Sequence, residues 1–121
     1  MGNVLVIDDQ ARTRDLLVRK ISRAGYSMLV ADNRNSALAI AASSEGVHCT
    51  IVHLNLSTDD LRDFVNDLKK TVLDLRIVLV SYGGEVADIA GVLGLPCSVS
   101  HLRSNWKKLF ALLKDCEKCR P

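Results

Sequence analysis

The sequence predicts an α/β fold built on one five-stranded parallel sheet, and three observations support this prediction. Short apolar runs alternate with segments of helical period along the 121 residues, which is typical of repeated strand–helix units. Residues 4–7 and 77–80 are apolar at every position, as strands covered by helices on both sides must be. Polar or titratable residues then follow these runs directly.

Each strand is predicted from a short run rich in apolar and β-branched residues. The five predicted strands are Val4 to Ile7, Ser27 to Ala31, Cys49 to Leu54, Ile77 to Ser81 and Cys97 to Ser100.

The helices are predicted from apolar residues that recur with helical spacing and from glycines that end the pattern. The predicted helices are Ala11 to Ala24, Asn35 to Ser44, Leu61 to Val72, Glu85 to Leu93, and a fifth that begins at Ser104. Glycines at positions 25, 46 and 94 follow the first, second and fourth helices, and Thr58 or Asp59 is the expected cap of the third.

The inner faces of three helices follow from the same spacing. In the first helix the predicted inward residues are Leu16, Leu17, Val18, Ile21 and Ala24. In the third they are Leu61, Phe64, Val65 and Leu68, and in the fifth Trp106, Leu109, Phe110 and Leu113.

Five such units suit a flavodoxin-like, doubly wound (βα)5 arrangement with strand order 2-1-3-4-5 and right-handed crossovers. In this arrangement a ligand crevice lies beyond the carboxyl ends of the strands, where strands one and three meet. Asp8, Asp9, His53, Ser81 and His101 stand at those ends. Because neighbouring strands are ~4.8 Å apart, we expect these side chains to converge on one pocket.

Composition limits the class of protein. Hydrophobic residues make up 48% and charged residues 25%, with two prolines, which indicates a single globular domain over residues 1–121. The net charge is +2 and the basic residues are scattered along the sequence, so we expect no binding to nucleic acid. No apolar run approaches the ~18 residues of a membrane span, which predicts no membrane segment and a cytoplasmic location.

Four cysteines fit neither a disulfide framework nor a paired zinc motif. Cys49 and Cys97 lie in apolar strands and are expected to be small buried residues. Cys116 and Cys119 form one CxxC pair near the end of the last helix. The simplest interpretation is two thiols on a frayed helix end, with metal binding or redox chemistry as the alternative.

Taken together, the acidic pair after the first strand, the ends of strands three and four, and the segment from Gly94 to His101 resemble the receiver domain of bacterial two-component response regulators. The resemblance covers essentially the whole chain. It implies that Asp8 and Asp9 occupy the magnesium-binding positions and that His53 stands where receivers carry the phosphoacceptor aspartate. It also implies that Ser81 is the switch hydroxyl, that Ser98 replaces the aromatic switch residue and that His101 replaces the lysine.

These departures argue against the phosphotransfer of the family. An aspartyl phosphate needs a carboxylate nucleophile beside a hard cation, and His53 offers no carboxylate. The imidazole of His101 supplies no permanent charge near neutral pH as a lysine does. The resemblance therefore implies a receiver that is not phosphorylated on aspartate, is not an enzyme, and acts by binding proteins. A pocket whose residues merely fill space is the simplest alternative.

A second interpretation concerns metal. Asp8, Asp9 and His53 would form a mixed nitrogen and oxygen ligand set, which suits zinc or nickel better than magnesium. Such a site could be structural, sensory or hydrolytic, and the spacing does not decide between these roles. His48 begins the third strand at the opposite edge of the sheet and is expected to be a partly exposed surface residue and not a third ligand.

The resemblance also implies a surface for partners. The family commonly uses the face of helix four, strand five and helix five for outputs and for dimers, so a partner protein or a second copy of the chain is expected there. Protonation of His101 on acidification is the one remaining input expected from the sequence, because it would restore a cation near the acidic pair.

Overall fold

All five strands pair in parallel, in one sheet of order β2-β1-β3-β4-β5. The computed structural model describes residues 3–44 and 46–118, the last two by their backbone only. The strands are β1 (Asn3–Asp8), β2 (Met28–Ala31), β3 (Val47–His53), β4 (Arg76–Val80) and β5 (Cys97–Val99). The helices are α1 (Ala11–Arg23), α2 (Arg34–Ser43), α3 (Thr58–Thr71), α4 (Ala87–Val92) and α5 (Trp106–Lys118). The predicted fold class and strand order are confirmed.

Two hydrophobic cores lie on opposite faces of this sheet. Helices α1 and α5 cover one face, where Leu17, Ile21, Leu109 and Leu113 pack on strand residues that include Val6 and Ile51. Helices α2, α3 and α4 cover the other face. The four inward residues predicted for α3 are all buried, whereas Trp106 and Phe110 of α5 are only partly buried. In α1, Leu17 and Ile21 are buried, while Leu16 and Val18 are half-buried and Ala24 is exposed.

Helix α3 begins three residues earlier than the sequence predicted, because its cap is Ser57. The Ser57 hydroxyl oxygen accepts a hydrogen bond from the Asp60 amide at 3.1 Å, so the expected caps Thr58 and Asp59 lie inside the helix. There Asp59 and Asp60 stabilise the positive end of the helix dipole.

Helices α4 and α5 are shorter at their amino ends than predicted. Before α4, the Ala87 amide donates to Glu85 and the Val86 amide donates to Ser100, so residues 85 and 86 form a cap. Before α5, Leu102–Ser104 forms one 3-10 turn, and the helix starts at Trp106.

The thiols occupy the core more fully than the sequence suggested. Cys49 and Cys97 are buried, as predicted, and Cys116 is also buried, at 4% exposure, in the core under α1 and α5. Cys116 is therefore a core residue and not part of a frayed end, while Cys119 lies outside the described residues. The hydrogen bond with Cys116, together with burial, raises the pKa of the Cys49 thiol, so the thiol stays neutral.

His48 is half-buried, and its Nδ1 lies 3.1 Å from the Gly46 carbonyl oxygen, at the opposite end of the sheet from His53. No helix among the described residues combines the length and the apolar character needed to cross a membrane.

One buried polar contact ties the two central strands together. Thr50 of β3 is fully buried, and its hydroxyl donates to the Leu5 carbonyl oxygen of β1 at 2.8 Å. These two residues are also direct neighbours in the strand register. The hydroxyl therefore adds a side-chain bond to the ladder at the centre of the sheet.

We predict that Thr50→Val lowers the free energy of unfolding by about 1–2 kcal/mol, because the shape is kept while a buried hydrogen bond is lost. Urea denaturation measures the change. Thr71→Val is the matched control, since the Thr71 hydroxyl makes a bond of the same length, to the Asp67 carbonyl oxygen, at the exposed surface. We expect it to cost less than about 0.5 kcal/mol. Equal losses in the two variants would contradict the role given to Thr50.

Candidate functional site

The register of β1 and β3 places Asp8 directly beside His53. The two residues are Cα partners at the carboxyl ends of these strands. Their side chains lie on the same face because they continue the alternation of Val6 and Ile51, which belong to the core under α1 and α5. The Nδ1 atom of His53 lies 3.1 Å from an Asp8 oxygen.

The Asp8 carboxylate is fully buried and is held entirely by groups of this chain. One oxygen accepts from the Gln10 amide at 2.9 Å and contacts His53, and the other accepts from the Thr13 hydroxyl at 2.7 Å. Because a carboxylate only accepts hydrogen bonds, this contact favours the His53 tautomer that carries its proton on Nδ1. The Nε2 atom is then the ring nitrogen left for other contacts.

Thr13 joins this site although the sequence did not single it out. Its hydroxyl oxygen also lies 3.4 Å from Nδ1 of His53, so Asp8, Thr13 and His53 form one cluster. Thr13 stands in the first turn of α1, five residues after Asp8, where the helix starts over the end of the strand. Nearby, Arg14 donates to the Asp8 carbonyl oxygen at 3.1 Å and brings a cation close to the buried acid.

Asp9 does not share in this cluster. Successive side chains of an extended chain point in opposite directions, so Asp9 turns away from Asp8. One of its carboxylate oxygens accepts from the Asn55 amide at 2.9 Å, and the side chain is exposed. Asp9 therefore fixes the loop that follows β3.

Tyr82 covers the cluster from the end of β4. Its ring meets the His53 ring edge-on, with centroids 5.2 Å apart, and its hydroxyl donates to the Thr13 carbonyl oxygen at 3.1 Å. Burial, and then the charge of Asp8, raise the pKa of Tyr82, so its hydroxyl remains a donor. The Tyr82 ring also meets the Trp106 ring edge-on, with the two ring centroids 6.3 Å apart. Tyr82 is thus a half-buried part of the site and not an exposed loop residue.

Ser81, Ser98 and His101 do not meet the acidic pair as a single cluster. The Ser81 hydroxyl oxygen accepts from the Gly83 amide at 3.2 Å. His101 is exposed, has a left-handed backbone with φ of 48°, and donates its amide to the Gly83 carbonyl oxygen. The convergence of His101 on the pocket, expected from the sequence, is not seen in the structure. Ser98 is half-buried on β5, the edge strand.

The loop before α4 contains a second hydrogen-bonded carboxylate, that of Glu85. The Ser100 hydroxyl donates to Glu85 at 2.6 Å, and this bond, with the Ala87 amide, lowers the pKa of Glu85. His101 also lowers the Glu85 pKa electrostatically.

A cleft of about 280 Å³ opens at the carboxyl ends of β3 and β4. Polar side chains form part of its lining, namely Gln10, His53, Asn55 and Ser81. The rest of the lining is apolar and consists of Leu54, Leu56, Leu61, Leu79, Val80, Val86 and Ile89. His53 is the only ionisable group among the described residues that line the cleft.

These donors fit magnesium poorly. Magnesium requires several oxygen ligands in near-octahedral geometry, whereas both Asp8 oxygens already accept bonds from the chain and position 53 offers nitrogen. Within the described residues, no three His, Cys, Asp or Glu side chains come together in a group able to hold a metal ion. The structure brings Asp8 and His53 together but does not bring Asp9 to the same point.

No protein-family model and no curated protein matches the chain. Solved structures do match it, and CheY-like receiver domains are among them. The chemotaxis protein CheY4 of Vibrio cholerae is 19% identical, with a TM-score of 0.76 over 96% of this chain and 98% of its own. The receiver domain protein of Methanospirillum hungatei is 15% identical, with a TM-score of 0.76 over 98% of each chain.

A third match is the response regulator TrrA of Thermotoga maritima, solved in complex with the histidine kinase ThkA. It is 22% identical, with a TM-score of 0.77 over 96% of this chain and 98% of its own. At these identities the likeness shows the fold, and the fold is that of a receiver domain.

Proposed function

We propose that this chain, which has the receiver-domain fold of response regulators, is an atypical receiver that is not phosphorylated on aspartate and signals by binding other proteins. We place this role in the cytoplasm. In this proposal the cleft at the strand ends carries no catalysis, and the domain is a signalling module and not an enzyme.

The Asp8–His53 contact is the observation that carries this proposal. It puts an imidazole where phosphoryl transfer would need a carboxylate nucleophile. It also occupies the buried acid that would hold a cation, together with Thr13 and Gln10. The imidazole of His53 thus stands in place of the nucleophile, and hydrogen bonds within the chain stand in place of the cation. Both observations support a pocket that is stable without a phosphoryl group.

We predict that incubation with acetyl phosphate and magnesium adds no phosphoryl group to this domain. Intact-mass spectrometry before and after treatment measures the adduct, and hydroxylamine distinguishes an acyl phosphate from other adducts. A hydroxylamine-labile phosphoryl adduct on the unmodified chain would contradict the proposal.

Two variants test which residues prevent phosphorylation of the domain. His53→Asp supplies the carboxylate but leaves His101, so we expect it to restore little phosphorylation. His53→Asp combined with His101→Lys adds a permanent cation on a long, flexible side chain and should restore more. Equal phosphorylation of the single and double variants would show that position 101 has no part in the loss.

For the partner surface we propose the face formed by α4, β5 and α5. Val92 of α4 is 60% exposed, although a valine is usually buried. Strand β5 is the edge of the sheet, so one side of its backbone pairs with no other strand among the described residues. A partner protein or a second copy of this chain would cover both features.

We predict that Val92→Asp weakens self-association at high protein concentration, because it puts a charge into the proposed contact. Sedimentation velocity measures the fraction of dimer. Leu73→Asp is the matched control, since Leu73 is 85% exposed but lies in the segment between α3 and β4 and belongs to none of the three elements of this face. If dimers form and both variants weaken them equally, or if only Leu73→Asp does so, the proposed face is wrong for the second copy.

The second candidate function is a divalent-metal site, favoured by one observation. His53 presents an imidazole nitrogen next to Asp8, and such a mixed set suits zinc or nickel. We expect zinc and nickel to bind more tightly than magnesium in isothermal titration calorimetry, and His53→Ala to abolish the difference. Magnesium binding as tight as zinc binding would contradict the mixed-ligand set, and the absence of heat with every ion would remove this candidate.

A further inference from the structure

Charge is divided between the two faces of the sheet. Helix α1 and residues 103–116 contain nine Lys or Arg residues against two Asp residues, although the whole chain has a net charge of only +2. The rest of the chain is therefore negative. The nine cations are Arg12, Arg14, Arg19, Lys20, Arg23, Arg103, Lys107, Lys108 and Lys114. They are scattered in the sequence but gathered in space, because α1 and α5 cover the same face.

Among the described side chains, none of these cations forms an ion pair with a carboxylate. Within residues 3–44 and 46–116, the ion pairs join Arg34 to Asp67, Arg62 to Asp59 and His53 to Asp8, and none involves the nine. Two of the acidic partners, Asp59 and Asp67, belong to α3 on the opposite face. The face of α1 and α5 thus has a positive potential that attracts acidic groups.

A groove crosses this face at the carboxyl end of α1. It measures about 410 Å³, and its lining joins apolar surface from Ala24, Tyr26, Phe110 and Ala111 to Lys107 and Lys114. The two lysines lie on α5 on either side of Phe110 and Ala111. We call it the α1–α5 groove: an apolar floor with a cationic rim.

We propose that the α1–α5 groove binds an acidic amphipathic segment of a partner protein. Apolar side chains of one face of such a segment would fill the groove, as in other helix-in-groove complexes. Its carboxylates would meet Lys107 and Lys114, which form no ion pair with an acid of residues 3–44 or 46–116. The groove lies across the sheet from α4, and it shares only helix α5 with the face proposed above.

The aromatic rings favour a protein partner over nucleic acid. Single-stranded nucleic acid binds by stacking its bases on free aromatic faces. Here Trp106 stacks with Phe110 at an interplanar angle of 26°, and the ammonium of Lys20 lies 5.5 Å from the Trp106 ring centroid. Both rings are thus engaged within the chain, whereas the concave apolar floor accepts side chains.

The test uses a synthetic peptide of about 16 residues, long enough to form a helix, with leucines on one face and glutamates on the other. A peptide of the same composition, with its leucines spread around the helix, is the control. Trp106 is the only tryptophan of the chain and lies beside Phe110, so its fluorescence reports binding. We expect saturable binding of the amphipathic peptide, about tenfold weaker binding of the control, and weakening by salt.

Two variants on the groove and one control locate the site. Ala111→Glu, at an exposed position, puts a carboxylate into the groove, and Lys107→Glu with Lys114→Glu reverses its rim. Each should weaken peptide binding about tenfold or more. Lys69→Glu with Lys70→Glu makes the same change of charge on α3 and should alter binding by less than about twofold.

Four results would overturn the proposal. The first two are that the amphipathic peptide shows no saturable binding, or that the control peptide with spread leucines binds as tightly as it does. The other two are that the groove variants and the α3 variant weaken peptide binding equally, or that another polyanion binds more tightly than the amphipathic peptide. For the last, the probes are an oligothymidylate of about 20 nucleotides and phosphatidylserine vesicles.

Discussion

The pairing of Asp8 with His53 determines how the whole end of this sheet is arranged. A carboxylate that is fully buried must be surrounded by donors, because an unpaired buried charge costs several kcal/mol. Thr13 and Gln10 supply two of those donors and fix the start of α1, and His53 supplies the third. The Tyr82 ring packs against His53, and its hydroxyl donates to the Thr13 carbonyl oxygen. The start of α1, the end of β3 and the segment after β4 are therefore all arranged around the Asp8 carboxylate.

This arrangement has a consequence for signalling. Ser81 joins the cleft to the edge of the sheet, since its amide donates to the Val99 carbonyl oxygen and its carbonyl oxygen accepts from the Leu102 amide. A phosphoryl group that attracted the Ser81 hydroxyl could bias two conformations of this region, but a ligand shifts a population only if it binds one state more tightly. Because groups of the chain itself already contact the buried Asp8 carboxylate, we expect one dominant conformation on the face of α4 and β5.

Much of this structure could be predicted from the sequence because the hydrophobic pattern determines it. The alternation of apolar strands with helices predicted the order of the strands in the sheet. Because the carboxyl ends of parallel strands meet at one edge, the sequence also predicted that Asp8 and His53 lie together. The alternation of Val6 with Asp8 and of Ile51 with His53 would also have placed both on the α1 and α5 side.

The remaining features depend on loop geometry, which the pattern does not determine. Ser57 caps α3 in place of Thr58 because of the local backbone, and His101 adopts a left-handed conformation at a position without glycine. The basic face was missed for a different reason: residues far apart in sequence come together only when α1 and α5 share one face of the sheet.

The proton on the His53 ring tests the central pairing most directly. Long-range nitrogen–proton NMR correlations on the ¹⁵N-labelled chain, recorded where the ring is neutral, identify which ring nitrogen is protonated. Because the Asp8 carboxylate accepts from Nδ1, we predict the Nδ1-protonated tautomer with a bare Nε2. Asp8→Asn, whose amide can also donate, should weaken that preference. A neutral His53 protonated on Nε2, unchanged by Asp8→Asn, would show that the acid does not hold the imidazole and would contradict the proposed replacement of nucleophile and cation.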